Sequence, residues 1–145
     1  MEIRKAGHAD VIKIVQLVVE CSMELEDNHS TPNQSEAIAI AVGHGIDNNE
    51  AVFIAEDDGK IVGYVAWVHL PGNAPGHVEG CGTFVKPELR RTGLSKKLRT
   101  YAIMHAKSKG YHTVRGVASK TNEAALASVL KSGFNVVGIM VERKF

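Results

Sequence analysis

Cysteine is scarce in this chain: only Cys21 and Cys81 occur among 145 residues, about sixty positions apart and without paired spacing. That pattern argues against a disulfide framework and a Cys-based zinc site, so no metal is expected, and it suits a reducing compartment. An excess of one charge sign is missing too, with 17 Lys and Arg against 16 Asp and Glu and a formal net charge of +1. A field that weak gathers neither nucleic acid nor an anionic membrane surface, and any basic patch must be local. No apolar run approaches the roughly 20 residues of a membrane-spanning helix, and Met1-Glu2-Ile3-Arg4-Lys5 does not begin a signal stretch. A cytoplasmic location is the expectation. Repeats, linkers and low-complexity tracts are also lacking, which leaves one globular domain over residues 1–145 with a single core.

What is present is an interleaving of strand and helix patterns. Ile3 to Lys5 reads as a short strand, and Val11, Ile14, Val15 and Val18 recur at helical spacing after Asp10. Thr31-Pro32 supplies a capping hydroxyl and a proline for a second helix running to about His44-Gly45. Ala51 to Ala55 and Ile61 to Leu70 read as antiparallel strands joined by Asp57-Asp58-Gly59, which is hairpin-turn chemistry. His77 to Lys86 reads as a central strand ending at Pro87. In the third helix Leu94, Leu98, Tyr101, Ala102 and His105 mark the apolar face, Lys96, Lys97, Arg99 and Lys107 point elsewhere, and Gly110 is the stop. His112 to Val117 reads as a strand, Asn122 to Ser132 as a helix closed by Gly133, and Phe134 to Phe145 as two short strands or a bent one. The tight hairpin excludes an all-parallel sheet, so the class is mixed α/β or α+β.

Chemistry concentrates in Arg90-Arg91-Thr92-Gly93-Leu94-Ser95-Lys96-Lys97, between a strand and a helix. Unpaired N–H groups and the helix dipole favour an anion there. Helices usually carry Asp or Glu in the first turn, whereas this turn and its approach carry Arg90, Arg91, Lys96 and Lys97, an unfavourable arrangement unless an anion docks. Gly93 would let phosphates approach the main chain. The alternative reading is a basic, solvated helix start.

This segment resembles the pyrophosphate motif of the GNAT superfamily, the general N-acetyltransferases: Gln or Arg, two residues, Gly, one residue, then Gly or Ala. Ser95 stands at the last position, a small departure. Val85-Lys86-Pro87 precedes the motif as in that family, and Asn122, Ala125, Lys131, Gly133 and Phe134 match its later signature in spacing. The resemblance covers nearly the whole chain. It implies a GNAT-like acyltransferase fold, acetyl-CoA as cosubstrate, and direct attack of an amine on the acetyl thioester. It further implies that main-chain groups of Phe84 and Val85 pair with the pantetheine arm, that Arg90 to Lys96 (Arg90, Arg91, Thr92, Gly93, Leu94, Ser95, Lys96) wrap the pyrophosphate, and that Asn122 reaches the cofactor from the last helix. A homodimer through the C-terminal strands is compatible with it.

An ammonium must lose a proton before it attacks, so a carboxylate near the splayed strand is the usual base. Glu79 is the leading candidate: six residues before Val85, it shares that residue's face if the strand is unbroken, and a bulge would upset the parity. His77 is the second candidate base, with an exposed loop histidine as the alternative. The family's acid, a Tyr seven residues after the Asn, is replaced by Val129, a loss that would slow turnover without abolishing it; Ser128 or water is the substitute acid, with plain helix surface as the alternative reading of Ser128. Tyr101 and Tyr111 read as structural, Trp67 as buried, and Cys81 as an inert strand cysteine rather than an acyl carrier. His29, Glu24, Glu26 and Asp27 could attract a cationic acceptor; a small amine, a peptide N-terminus and a lysine side chain all stay open. The competing reading is a coenzyme A-binding interaction module without catalysis. A nucleotide-triphosphate hydrolase is excluded, since no Gly-x-x-x-x-Gly-Lys-Ser/Thr loop exists.

Overall fold

The computed structural model describes residues 1–23, 32–118 and 123–145. Its elements are β1 (Glu2–Lys5), α1 (Val11–Met23), α2 (Pro32–Asp47), β2 (Ala51–Asp57), β3 (Lys60–Val68), β4 (His77–Val85), α3 (Leu94–Ser108), β5 (Thr113–Arg115) and α4 (Glu123–Lys131), with 3-10 turns at His8–Asp10 and Pro87–Leu89. The strands lie in the order β1-β2-β3-β4-β5, antiparallel except for the parallel pair β4 and β5. The middle strand is therefore β3, not β4.

The two-residue period of β2 and β3 separates the core into two layers. Val52, Ile54, Tyr64, Ala66 and Val68 face Ile14, Leu17 and Val18 of α1 and Val42 of α2. Ala51, Phe53, Ala55, Val65 and Trp67 face the opposite way, onto Leu94, Leu98, Ala102 and Ala106 of α3. The hairpin turn forms where expected, with Asp58 at φ 52° and Gly59 at φ 76°. Asp10 closes the entry to α1: it accepts from the Gly7 N–H at 2.8 Å and takes a two-pronged bond from Arg4 at 2.9 and 3.1 Å.

Four further expectations are corrected. Arg99, placed on the polar side of α3, is buried at 7% exposure, because the Leu94, Leu98, Ala102, Ala106 stripe turns its neighbour toward α4. Tyr101, placed on the buried side, is 44% exposed and packs edge-on against Phe53 at 5.5 Å. Residues 134–145 form no strand. Val136, Val137, Ile139, Met140 and Val141 are exposed, and β propensity is realised only where a strand has a surface to pack on. The parity of Glu79 and Val85 is broken by a bulge: Val65 opposes Thr83 while Trp67 opposes Gly80.

Candidate active site

The bulge reorients the second half of β4. Val78 and Val85 both pack on the α3 side, whereas Cys81 and Phe84 pack on the α1 and α2 side. By alternation from Val78, Glu79 therefore lies on the face opposite Val85. Gly82 makes this possible, at φ 122°, where a Cβ would stand 2.3 Å from the Tyr64 hydroxyl. That hydroxyl donates to the Cys81 carbonyl at 3.1 Å and holds the bulge from the neighbouring strand.

Among the described residues, pairing between β4 and β5 covers His77, Val78 and Glu79 against Thr113, Val114 and Arg115. Sheet pairing on that side of β4 stops, among the described residues, at Glu79, with Gly80 still close beside Arg115 and Gly116. Phe84 stacks on Tyr64 at 5.7 Å and Val85 is buried against α3, so the main chain of these two residues, rather than their side chains, is what the strand can offer a ligand.

Glu79 and His77, rivals in the sequence, are brought together. His77 Nε2 lies 3.1 Å from Glu79 Oε1, and His77 Nδ1 lies 3.2 Å from Thr113 Oγ1. Asn73 donates to the same Glu79 oxygen at 3.3 Å. Both bonds fall on Oε1, and Oε2 has no protein partner among the described residues. With Nε2 protonated, the neutral imidazole donates to Glu79 and accepts from Thr113. His77 is buried in this arrangement rather than exposed on the loop. Cys81 lies one alternation away, its thiol pushed up to about 11 by burial and by the Glu79 charge, which leaves it a poor nucleophile.

At the other end of β4, Arg91 at φ 64° and Gly93 at φ 85° wind the chain into α3. The first turn of α3 has no side-chain cap and no acidic residue. A Cβ at Gly93 would meet nothing within 4 Å, so the approach is open and glycine is required by the backbone angle. Thr92 donates to the Leu89 carbonyl, and Lys96 and Lys97 are exposed. Leu94 is buried in the core and can contribute only its N–H. These features fit a diphosphate-bearing ligand. Ser128 accepts from Arg99 at 2.8 Å between α3 and α4. Arg99 itself is the residue that sequence reasoning missed; its only signal was Ser95 one turn earlier. Asn122, and the acidic stretch with Glu24, Glu26, Asp27 and His29, lie outside the described residues.

Trp67 is buried and meets Phe134 edge-on at 6.2 Å, as expected. Tyr111 is structural: it donates to Glu50 at 2.7 Å, and burial with that carboxylate pushes its phenol up to about 12. Among the described residues no helix is long and apolar enough to cross a membrane.

A sheet that parts beside an uncapped, basic helix start is the architecture of an acyl-CoA transferase domain. The family model described as "Acetyltransferase (GNAT) family" matches residues 13–134, and this chain belongs to that family. Solved structures agree in fold. The putative acetyltransferase yncA from Salmonella typhimurium, with its cofactor acetyl-CoA, superimposes with a TM-score of 0.79 at 22% identity, covering 100% of this chain and 86% of that one. Ribosomal-protein-alanine N-acetyltransferase from Brucella melitensis gives 0.76 at 20% identity over 95% and 86%. AAC(6')-Iy in complex with a bisubstrate analog gives 0.72 at 19% identity over 99% and 97%. No curated protein matches the chain.

Proposed function

We propose that this protein transfers the acetyl group of acetyl-CoA to a primary amine by direct attack, with Glu79 as general base. The observation that carries the reading is the end of β4 and β5 pairing at Glu79, between the His77 and Glu79 pair and the uncapped start of α3. The phosphates dock on the N–H groups from Arg91 to Lys96, with Arg90, Arg91 and Lys96 adding charge, and Asn122 is the further cofactor contact that the resemblance implies. Main-chain groups of Phe84 and Val85 hold the pantetheine arm. Glu79 then takes a proton from the ammonium, on the oxygen that His77 and Asn73 do not occupy. The nitrogen lone pair attacks the thioester carbon, the C–N bond forms, the C–S bond breaks, and the thiolate leaves. Ser128, which accepts from Arg99 and retains its own proton to give, or a water molecule, supplies the proton to sulfur and is made good by the second proton that the acylated nitrogen sheds.

The acceptor is a small-molecule or peptide amine, and the solved neighbours include an aminoglycoside acetyltransferase in complex with sisomicin. Self-association through residues 136–141 belongs to the same reading, supported by the exposed apolar row there. The test is calorimetric titration with acetyl-CoA and CoA of wild type, Gly93→Glu and Gly93→Ala. The alanine variant carries the same backbone strain without the charge, so binding lost in the folded glutamate variant and kept in the alanine variant upholds the site. Absence of binding to wild type would sink the reading. A thiol-release assay over an amine panel then separates an enzyme from a silent coenzyme A-binding module, the reading that Val129 at the family's Tyr position favours.

A further inference from the structure

Arg99 is buried at 7% exposure in the first half of α3. A guanidinium in such a place ordinarily meets a carboxylate, but its partners among the described residues are three hydroxyls. Nη1 donates to Ser95 Oγ at 2.8 Å, and Nη2 donates to Ser128 Oγ at 2.8 Å and to Ser132 Oγ at 3.2 Å. Nε has no hydrogen-bond partner among the described residues. Burying a cation without a counter-charge is costly, and a guanidinium cannot shed its proton to escape. A nearby anion would offset that cost.

The geometry says where the anion would be. Side chains on a helix lean toward its N-terminus, and Arg99 reaches back one turn to Ser95, the second residue of α3. That turn is the uncapped one, approached by Arg91 and flanked by Lys96. Ser132 spends its proton on the Ser128 carbonyl at 3.0 Å. Ser95, accepting from Arg99, has its own proton to donate, and polarisation by the guanidinium strengthens that donor.

We propose that Arg99 is a positioning residue for the phosphates of the cofactor: through Ser95 it turns a buried charge into a hydrogen bond offered at the start of α3, and through Ser128 and Ser132 it ties α4 to the same occupancy. The inference rests on the cofactor assignment above. It also gives a physical reason for Ser95 where the resemblance expects Gly or Ala, since neither could relay the charge.

The experiment compares wild type, Ser95→Ala, Arg99→Met, the double variant of these two and Arg99→Lys, each verified as folded by circular dichroism and melting. Each is titrated with CoA and, by competition up to millimolar concentration, with pantetheine, which keeps the thiol arm and has no phosphate. Arg99→Met and Ser95→Ala should each weaken CoA about tenfold and leave pantetheine within twofold, the double variant should be no worse than about either single one, and Arg99→Lys should recover part of the loss. Unchanged CoA affinity in folded Ser95→Ala or Arg99→Met overturns the inference. So does an equal loss for both ligands, which a merely structural arginine would produce. If Arg99→Met does not fold, Ser95→Ala decides alone. If wild type binds no CoA, the cofactor assignment itself has failed, and this inference with it; CoA binding by wild type with an indifferent Ser95→Ala removes only the inference.

Discussion

Asp10 shows how one carboxylate can fix the start of a fold. Its hydrogen bonds from Arg4 hold its carboxyl below the usual carboxylate range, against the opposing effect of burial. Because the folded value lies below the unfolded one, the stabilisation is present above the unfolded value near 4 and fades as pH falls through the folded one. Asp10→Asn should cost about 1–2 kcal/mol at neutral pH, discounted because Arg4 is partly exposed, and the difference from wild type should shrink in acid. Urea titrations at neutral pH and below pH 4 check both parts. At the chemical end of the chain, Glu79→Gln should leave CoA affinity within about twofold and lower the rate of acetyl transfer by about a hundredfold or more, the usual contribution of a positioned base. His77→Gln should cost less, because it removes a partner of the base and leaves the base in place. Steady-state kinetics on the best acceptor of an amine panel would separate the two, and equal losses would argue that His77 itself takes the proton.

Among the elements, β4 carries the most information per residue. A regular strand would put Glu79 and Val85 on one face; the bulge puts them on opposite faces, so that the carboxylate and the Val85 side chain serve different layers. Gly82 is the residue this depends on. Gly82→Ala must accommodate both a left-handed backbone angle and a Cβ 2.3 Å from the Tyr64 hydroxyl, and should destabilise by about 2–4 kcal/mol. Gly93→Ala meets no neighbour within 4 Å and should lose only the backbone preference, about 1–2 kcal/mol. Thermal melts of the two variants side by side test whether the bulge is worth more than the loop; equal losses would show that only the backbone angle matters at Gly82.

For the molecule as a whole, the sheet ends in a three-residue strand, β5, and the last eleven residues expose five large aliphatic side chains in six positions. Exposed apolar rows of this kind mark association surfaces. Sedimentation velocity should find a dimer at micromolar concentration, and Val137→Asp with Ile139→Lys should return it to a monomer with its melting temperature little changed. A wild type that stays monomeric at high concentration would refute self-association and leave the site reading untouched.

The sequence by itself determined the order and type of nine elements, the hairpin at Asp57-Asp58-Gly59, the open approach at Gly93 and the basic start of α3. These depend on local backbone preferences and on short-range periodicity, which neighbouring residues carry among themselves. It also nominated Glu79 and His77, but as rivals. Alternation along β4 already puts both on one face, and the tertiary structure adds the partners that orient them, Asn73 from the loop and Thr113 from the parallel strand. The bulge at Gly82 was invisible for a similar reason: it answers to the Tyr64 hydroxyl on the neighbouring strand. Arg99 read as a surface cation because charge and helical position argue for exposure, while its side chain is received by three serines, two of them about thirty residues away, on α4 and just past its end. The C-terminal valines read as strands because β propensity is local, but pairing requires a partner, and propensity cannot supply one.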